Sequence, residues 1–493
     1  MSVLLQDHRR GTYHFSPRHN WMNDPNGMVY FNGEYHLFYQ HHPNGTTWGP
    51  MHWGHAVSRD LVAWEELPIA LAPDEHGMIF SGSAVVDWND TTGFFGGKPG
   101  LVAIFTHHSD VPGAEHPVQS QSLAYSADQG RTWTKFVENP VLRHDSYIDF
   151  RDPKVFWHEP TSQWIMILAC GQSVSLYRSP NLKAWTLASE FGEGIGFHGG
   201  VWECPDLFPL SVEGEPGSGK WVMLVSIGDA PDYEEGSRTQ YFTGDFDGER
   251  FMPDAYSQGH VRWLDYGRDN YAGVSWSDVP AADGRRLFIG WMSNWKYANQ
   301  TPTSGWRGAM TIARELQLIR VNGETVLTQQ PVRELKAYRK PVLTMRDAKA
   351  KDVSVRLAGL RLDAIEIHAC AGFAEAQGSF AWKVRTGAEQ ETVIGYDAEA
   401  GEVYVDRRWS GIADFHPQFA GRHAASLRTG VESLELRIFV DKSSVEVFVN
   451  GGESVLTDLI YPDPNSAGLS LQTDNERLTF DAFDLFEIAV PAK

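Results

Sequence analysis

The chain has 493 residues, and its 42 Lys+Arg against 63 Asp+Glu leave a formal net charge of −21, a field that disfavours nucleic acid and anionic membrane surfaces as partners. Hydrophobic residues make up 42% and charged residues 21%, which excludes disorder by composition and supplies a large core. The length fits three domains of about 150 residues or two large all-β domains. An excess of 18 Trp, 17 Tyr and 26 Phe suits either sugar-binding surfaces or all-β packing, and composition does not choose between them.

In chain order, the first eleven residues reach a charge at Asp7 without an apolar stretch, and no 18-residue apolar run occurs anywhere. The expected location is therefore cytoplasmic, with secretion requiring a leader ahead of this sequence. Eight of the 19 His fall within the first 55 residues. There is no HExxH, however, and His52 and His55 lie in a strand-like segment that turns them to opposite faces. Cys170, Cys204 and Cys370 stand far apart without a CxxC, so neither a disulfide framework nor a zinc site is signalled. No metal and no cofactor are expected.

Three interleaved repeats organise the first 320 residues. Aromatic-aliphatic runs begin at Tyr35, Leu101, Trp164, Trp221 and Leu287, spaced 57 to 66 residues apart, enough for one four-stranded propeller blade each. A polar turn ending in Trp follows in three of them, at Ser58 to Trp64, Ser126 to Trp133 and Ser179 to Trp185. The third repeat places a polar residue before a strand-like run: Asp24, Ser81, Asp152, Glu203 and Asp269. If each opens the innermost strand of a blade, all five face the central axis at one end. Helical periodicity is scarce, and turn residues punctuate the chain as an all-β architecture requires.

The expected organisation is a five-bladed β-propeller over residues 1–320, a connector over 321–350 with one short helix, and a β-sandwich over 351–493. Strands of the sandwich are expected at residues 352–360, 364–369, 391–397, 434–440, 444–450 and 477–488, with a hairpin at Val449-Asn-Gly-Gly.

Acids sharing one channel mouth repel one another as anions. One then stays protonated near neutrality while another ionises, the division of labour that glycosidic cleavage uses. An Asp-Pro string alone is an ordinary turn, so the argument rests on three acids in one register of a repeat.

Trp21-Met-Asn-Asp-Pro-Asn-Gly27, Phe80-Ser-Gly-Ser83, Arg151-Asp-Pro153 and Glu203-Cys-Pro205 together resemble the signature set of glycoside hydrolase family 32, the β-fructosidases that include invertases, inulinases and levanases. The resemblance continues through Trp53-Gly-His55, Asp265-Tyr-Gly-Arg-Asp269, Trp291-Met-Ser-Asn-Trp295, Trp306-Arg-Gly-Ala-Met310, Arg314-Glu-Leu316 and Asp441-Lys-Ser-Ser-Val-Glu-Val-Phe448, nearly the whole chain. It implies the same propeller and sandwich. It also implies Asp24 as nucleophile, Glu203 as general acid/base and Asp152 as transition-state stabiliser, with Asn23, Gln40, Trp48, Trp53, Phe80, Ser81, Arg151, Tyr271 and Trp291 around the sugar. Arg151 is expected to help keep Asp152 ionised. Trp53 fits a blade core equally well, Asp265 is either a supporting contact or a turn residue, and Asn270 stands where an aromatic is the more usual neighbour of Tyr271. Cys204 is expected to pack away from the site by strand alternation.

The resemblance implies a retaining exo-β-fructosidase acting on sucrose, fructo-oligosaccharides or a fructan, with a modest lean toward bacterial levanases and exo-inulinases. A fructosyltransferase using the same acids and a non-catalytic fructan-binding protein are the alternatives. The expected partner is a fructoside, with neither nucleic acid nor membrane.

Overall fold

The computed structural model describes residues 7–110, 116–144, 146–372, 378–428 and 433–491. Five antiparallel sheets, each starting at the axis and running outward, take up the chain to Pro331. The innermost strands are Asn20–Phe31, Met78–Asp87, Arg151–His158, Trp202–Ser211 and Tyr271–Ser275. Each packs beside the next, and the fifth returns to the first. The second strands, Glu34–His42, Gly100–Ser109, Gln163–Cys170, Gly219–Ile227 and Arg286–Trp291, contain the five aromatic-aliphatic runs. They are largely buried because they are covered on both faces by neighbouring blades. The short strand Trp306–Arg307 pairs in parallel with Asn20 and Trp21, so late residues of the chain complete the first blade and close the ring.

The Ser-to-Trp turns are built alike. In each, the indole N–H donates to the carbonyl three residues back: Trp64 to Leu61 at 3.2 Å, Trp133 to Gly130 at 3.1 Å and Trp185 to Leu182 at 2.8 Å. The accepting residues all have positive φ, a conformation that leucine adopts only under external restraint, and the indole supplies that restraint. The apolar clusters lie between blades, which leaves the axis to polar groups.

The connector is shorter than the expected 321–350. Glu324–Pro331 is the outer strand of blade five, and Arg339–Lys349 pairs with Thr479–Ile488 as an edge strand of the sandwich. Only Val332 and the 3-10 turn Arg333–Tyr338 lie between. The expected strand at 352–360 is instead the helix Ala350–Leu357, whose Ala350, Val353 and Leu357 recur at helical spacing on the buried face. The sandwich consists of a six-stranded and a five-stranded sheet over one aliphatic and aromatic core, and the Val449 hairpin is present. No helix among the described residues is long and apolar enough to cross a membrane.

Two buried ionic clusters join the domains. His14 contacts Asp441 through Nδ1 and Glu446 through Nε2, each at 2.8 Å, and Arg314 donates to Glu446 at 2.5 Å. Arg407 donates to Asp269 at 2.5 Å, and Tyr297 donates to the same carboxylate at 2.7 Å. Asp269 was expected at the axis. It faces the sandwich because it precedes the fifth innermost strand and the chain turns outward there.

Burial alone would depress the imidazole of His14, but its two carboxylate partners override that and raise it from 6.5 to about 9. Below pH 6.5 the group is protonated in both folded and unfolded chains, so its contribution is fully present. Between 6.5 and about 9 only the folded chain holds the proton, and stability falls as pH rises, by about 3 kcal/mol for a difference of this size. Thermal unfolding of the wild type should therefore weaken from pH 6.5 to 9 more steeply than that of His14→Gln. Parallel profiles for the two would contradict the ion cluster.

Candidate active site

A single irregularity recurs at one level of all five innermost strands. Pairing with the second strand skips from Met22 to Pro25, from Ile79 to Gly82, from Arg151 to Lys154, from Glu203 to Asp206 and from Tyr271 to Val274. Each skip sets two residues against one, a β-bulge that re-aims side chains and breaks their alternation. Asp24, Ser81, Asp152 and Cys204 lie inside the bulges, while Arg151, Glu203 and Tyr271 hold the last paired position before them. Asp152, Cys204 and Ala272, the first bulge residues of blades three to five, have φ of 64°, 44° and 53°, left-handed backbone in non-glycine residues of the kind found at functional sites. Pro25, Pro153 and Pro205 follow where the ladder needs no N–H donor.

These bulges bring the three acids together. Asp24 accepts hydrogen bonds from Asn23 Nδ2 at 2.9 Å and Ser81 Oγ at 2.7 Å. Asp152 accepts the backbone N–H of Cys204 at 3.0 Å, and its own N–H donates to Thr106 Oγ1 at 3.0 Å. Glu203 is gripped on both oxygens, by Arg151 Nη2 at 2.8 Å and by the Tyr271 hydroxyl. Arg151 also pairs with Asp149 and lies 3.9 Å from Asp152. One guanidinium therefore balances three carboxylates.

Burial holds the Asp24 carboxyl above its usual range; the Ser81 hydrogen bond opposes this and the charge of Glu203 adds to it. Asp152 is raised as well, chiefly by burial, with Arg151 pulling down and Glu203 and Asp24 pushing up. The expected effect of Arg151 on Asp152 is thus present in direction but is outweighed by desolvation. Tyr271 is pushed well above the phenol range by burial and by Glu203, so it donates to the carboxylate as a neutral hydroxyl.

Above the acids opens a cleft of about 400 Å³ lined by Trp48, Arg151, Glu203, Asp229, Trp295 and Asn299, among others. Below them the axis narrows to a void of about 10 Å³ between Asp152, Pro153, Cys204 and Pro205, room for about one water.

The family model described as "Glycosyl hydrolases family 32 N-terminal domain" matches residues 14–331, and that described as "Glycosyl hydrolases family 32 C terminal" matches residues 334–487. The chain belongs to glycosyl hydrolases family 32. It is 54% identical to a protein named levanase from Bacillus subtilis (strain 168), over 96% of this chain and 69% of that one. It is 40% identical to an extracellular exo-inulinase of Aspergillus niger, over 92% and 89%. Among solved structures it resembles exo-inulinase from Aspergillus awamori with a TM-score of 0.87 and 36% identity, covering 98% of both chains. A fructofuranosidase from Schwanniomyces occidentalis complexed with fructose superposes with a TM-score of 0.86 at 32% identity, covering 99% of this chain and all of that one.

Within this family 32 chain, most of the residues expected around the sugar do converge. Asn23, Ser81, Arg151 and Tyr271 hold the acids directly. Gln40 is buried one strand away, donating to Asn26 Oδ1 at 2.8 Å and the Ile79 carbonyl at 3.0 Å, so its amide donors brace the bulges of blades one and two. Trp48 is 41% exposed at the rim, edge-on to Phe80.

Two of the expected residues are enclosed. Trp53 is 0% exposed and spends its indole N–H on the Phe80 carbonyl at 2.9 Å. Trp291 is also 0% exposed, enclosed by Trp21, Tyr271 and Trp295. The ring that reaches the cleft is Trp295, four residues further on in the same quoted motif, because the chain leaves the strand after Trp291 and folds back over it.

Cys204 also departs from expectation. Alternation would turn it away, but the bulge aims its Sγ to 3.4 Å from Asp24 and 3.6 Å from Asp152, and burial raises its thiol well above the usual range, so it sits between the acids as an inert neutral group. Asp265 and Asn270 bond to each other at 3.1 Å, and Asp265 binds Thr457 of the sandwich at 2.6 Å; both belong to the domain interface. His55 is buried against His36 at 3.0 Å, and burial keeps both rings neutral.

Cavity size does not locate this chemistry. A larger cavity, about 710 Å³, lies at the far end of the innermost strands among Trp88, Phe156, Trp157 and Trp221. Its buried Lys154 and Asp206 are committed to each other at 3.7 Å.

The two tryptophans separate in a substitution test. Trp295→Ala should raise KM for a fructoside with little loss of melting temperature, whereas Trp291→Ala should cost about 3–5 kcal/mol of stability through the cavity it leaves. The reverse pattern would return Trp291 to the sugar-contact position.

Proposed function

We propose that this chain is a retaining exo-β-fructosidase, a hydrolase that releases terminal fructose from fructosides through a covalent fructosyl-enzyme. The observation that supports this reading most directly is the gathering of Asp24, Asp152 and Glu203 from three different innermost strands into one cluster, Cys204 lying against Asp24 and Asp152 and Arg151 against Asp152 and Glu203. The names levanase and exo-inulinase carried by relatives support a fructan or related fructoside as substrate.

Asp24 attacks the anomeric C2 of the terminal fructose while Glu203 donates its proton to the leaving oxygen. Glu203 then takes a proton from water, which attacks the same carbon and restores the configuration. Ser81 and Asn23 hold the two oxygens of Asp24 apart and aim one of them. Tyr271 and Arg151 fix the Glu203 carboxyl, whose proton must move outward to the leaving group and later inward from water. Gly228 borders this carboxyl so closely that a Cβ there would sit 3.3 Å from Oε2, so the backbone leaves the acid space to act. Asp152, held by a backbone N–H rather than by a mobile side chain, accepts hydrogen bonds from fructose hydroxyls. Its negative charge faces the oxocarbenium-like centre.

A panel of sucrose, raffinose, inulin and levan tests the reading. At least one should release free fructose, and Asp24→Ala should lose roughly 10⁴-fold or more in kcat; undiminished turnover would remove Asp24 from the nucleophile role. Methanol as acceptor should give the β-fructoside, retention of configuration, and the α-anomer would exclude the covalent route. Predominant chain-lengthened oligomers at high sucrose would make the enzyme a transferase.

The raised Asp24 and Asp152 carboxyls must both be ionised. Activity therefore falls on acidification through a limb set above the ordinary carboxyl range. Arg151 lowers Asp152, so Arg151→Gln should move that limb to higher pH in addition to reducing kcat. An unmoved limb would dissociate Arg151 from Asp152.

A further inference from the structure

Outside the active site, one set of His, Cys and Glu side chains among the described residues brings its donor atoms within 4.8 Å of one another: His368, Cys370 and Glu435. Strand pairing assembles it. Along Ile365–Gly372, Ile367, Ala369 and Ala371 point into the sandwich core, which turns His368 and Cys370 outward on the same face. Glu435 lies directly across from Cys370 on the neighbouring strand Ser433–Asp441.

His368 Nε2 is 2.8 Å from Glu435 Oε1, and Cys370 Sγ is 3.8 Å from His368 Nε2. A tetrahedral ion bound at about 2.0 Å to N and O and about 2.3 Å to S separates those ligands by about 3.3 and 3.5 Å. These two gaps need to change by about half an ångström or less, and the third, Cys370 to Glu435, is within 4.8 Å. The imidazole and carboxylate are 31% and 41% exposed, which gives an ion access and leaves one side of the set to water. The neighbouring Asp484 is held by Arg346 through both oxygens at 3.0 Å, so it remains outside the set.

We propose that His368, Cys370 and Glu435 form a binding site for a borderline divalent cation, Zn²⁺ above all, with water in the fourth position. A sulfur ligand selects against Mg²⁺ and Ca²⁺, which take oxygen. On binding, Cys370 releases its proton to solvent and His368 presents Nε2 free of hydrogen, its ring proton carried on Nδ1, so that thiolate and carboxylate cancel the charge of the ion. A thiol must lose its proton to bind the ion, so affinity should rise with pH. The site braces two strands of the sandwich and takes no part in fructoside cleavage, so it stands or falls independently of the proposed function.

Co²⁺ titration of metal-stripped full-length chain tests it. One equivalent should bind with a near-ultraviolet thiolate-to-cobalt band that Zn²⁺ displaces. Cys370→Ser should lose the band, and His368→Ala should bind at least about tenfold more weakly. Zn²⁺ should raise the melting temperature of the wild type but not of Cys370→Ser. Both variants alter outward-facing side chains, and unchanged metal-free melting confirms their fold. Absence of a one-equivalent band, or the same band in Cys370→Ser, overturns the site.

Discussion

An innermost propeller strand with unbroken pairing would alternate its side chains, and neighbouring residues could not both serve the axis. The bulge shared by all five innermost strands removes that constraint at one level. Asp24 with Asn23, Asp152 with Arg151, and Cys204 with Glu203 are sequence neighbours that all contribute to one site because alternation fails there. The left-handed φ of Asp152, Cys204 and Ala272 is the cost of this arrangement, and the surrounding sheets hold it in place.

Three carboxyls gathered at one level of the propeller axis are electrostatically unfavourable, and the protein offsets this with few charges. Arg151 is the guanidinium that reaches the acids, assisted by neutral donors: Ser81, Asn23, Tyr271 and a backbone N–H. The sparse compensation leaves the carboxyls of Asp24 and Asp152 raised, burial being the largest cause in both.

The second domain is tied to the first by charges buried away from water. Glu446 binds both His14 and Arg314, and Asp441 closes on His14 and on the backbone of Thr12. The family motif from Asp441 to Phe448 thus acts as a clasp in this protein, while the sugar site lies elsewhere. Arg407 and Asp269 make a second clasp beside it. Both fix the loop from Asp265 to Tyr271, whose last residue holds the acid Glu203, so the sandwich contributes to the site through position alone.

The sequence by itself determined the propeller and the identity of its acids. Blade period, Ser-to-Trp turns and the level of Asp24, Asp152 and Glu203 are local patterns, repeated each time a chain segment forms the same sheet. What repetition could not convey is where side chains go once pairing becomes irregular. Cys204 points to the acids although alternation sends it away. Trp291 lies behind Trp295, Asp269 leaves the axis for Arg407, and the connector contracts to seven residues between Pro331 and Arg339. His368, Cys370 and Glu435 meet only through cross-strand register. These outcomes depend on contacts between residues far apart in the chain, and such contacts are set by the packing of finished sheets.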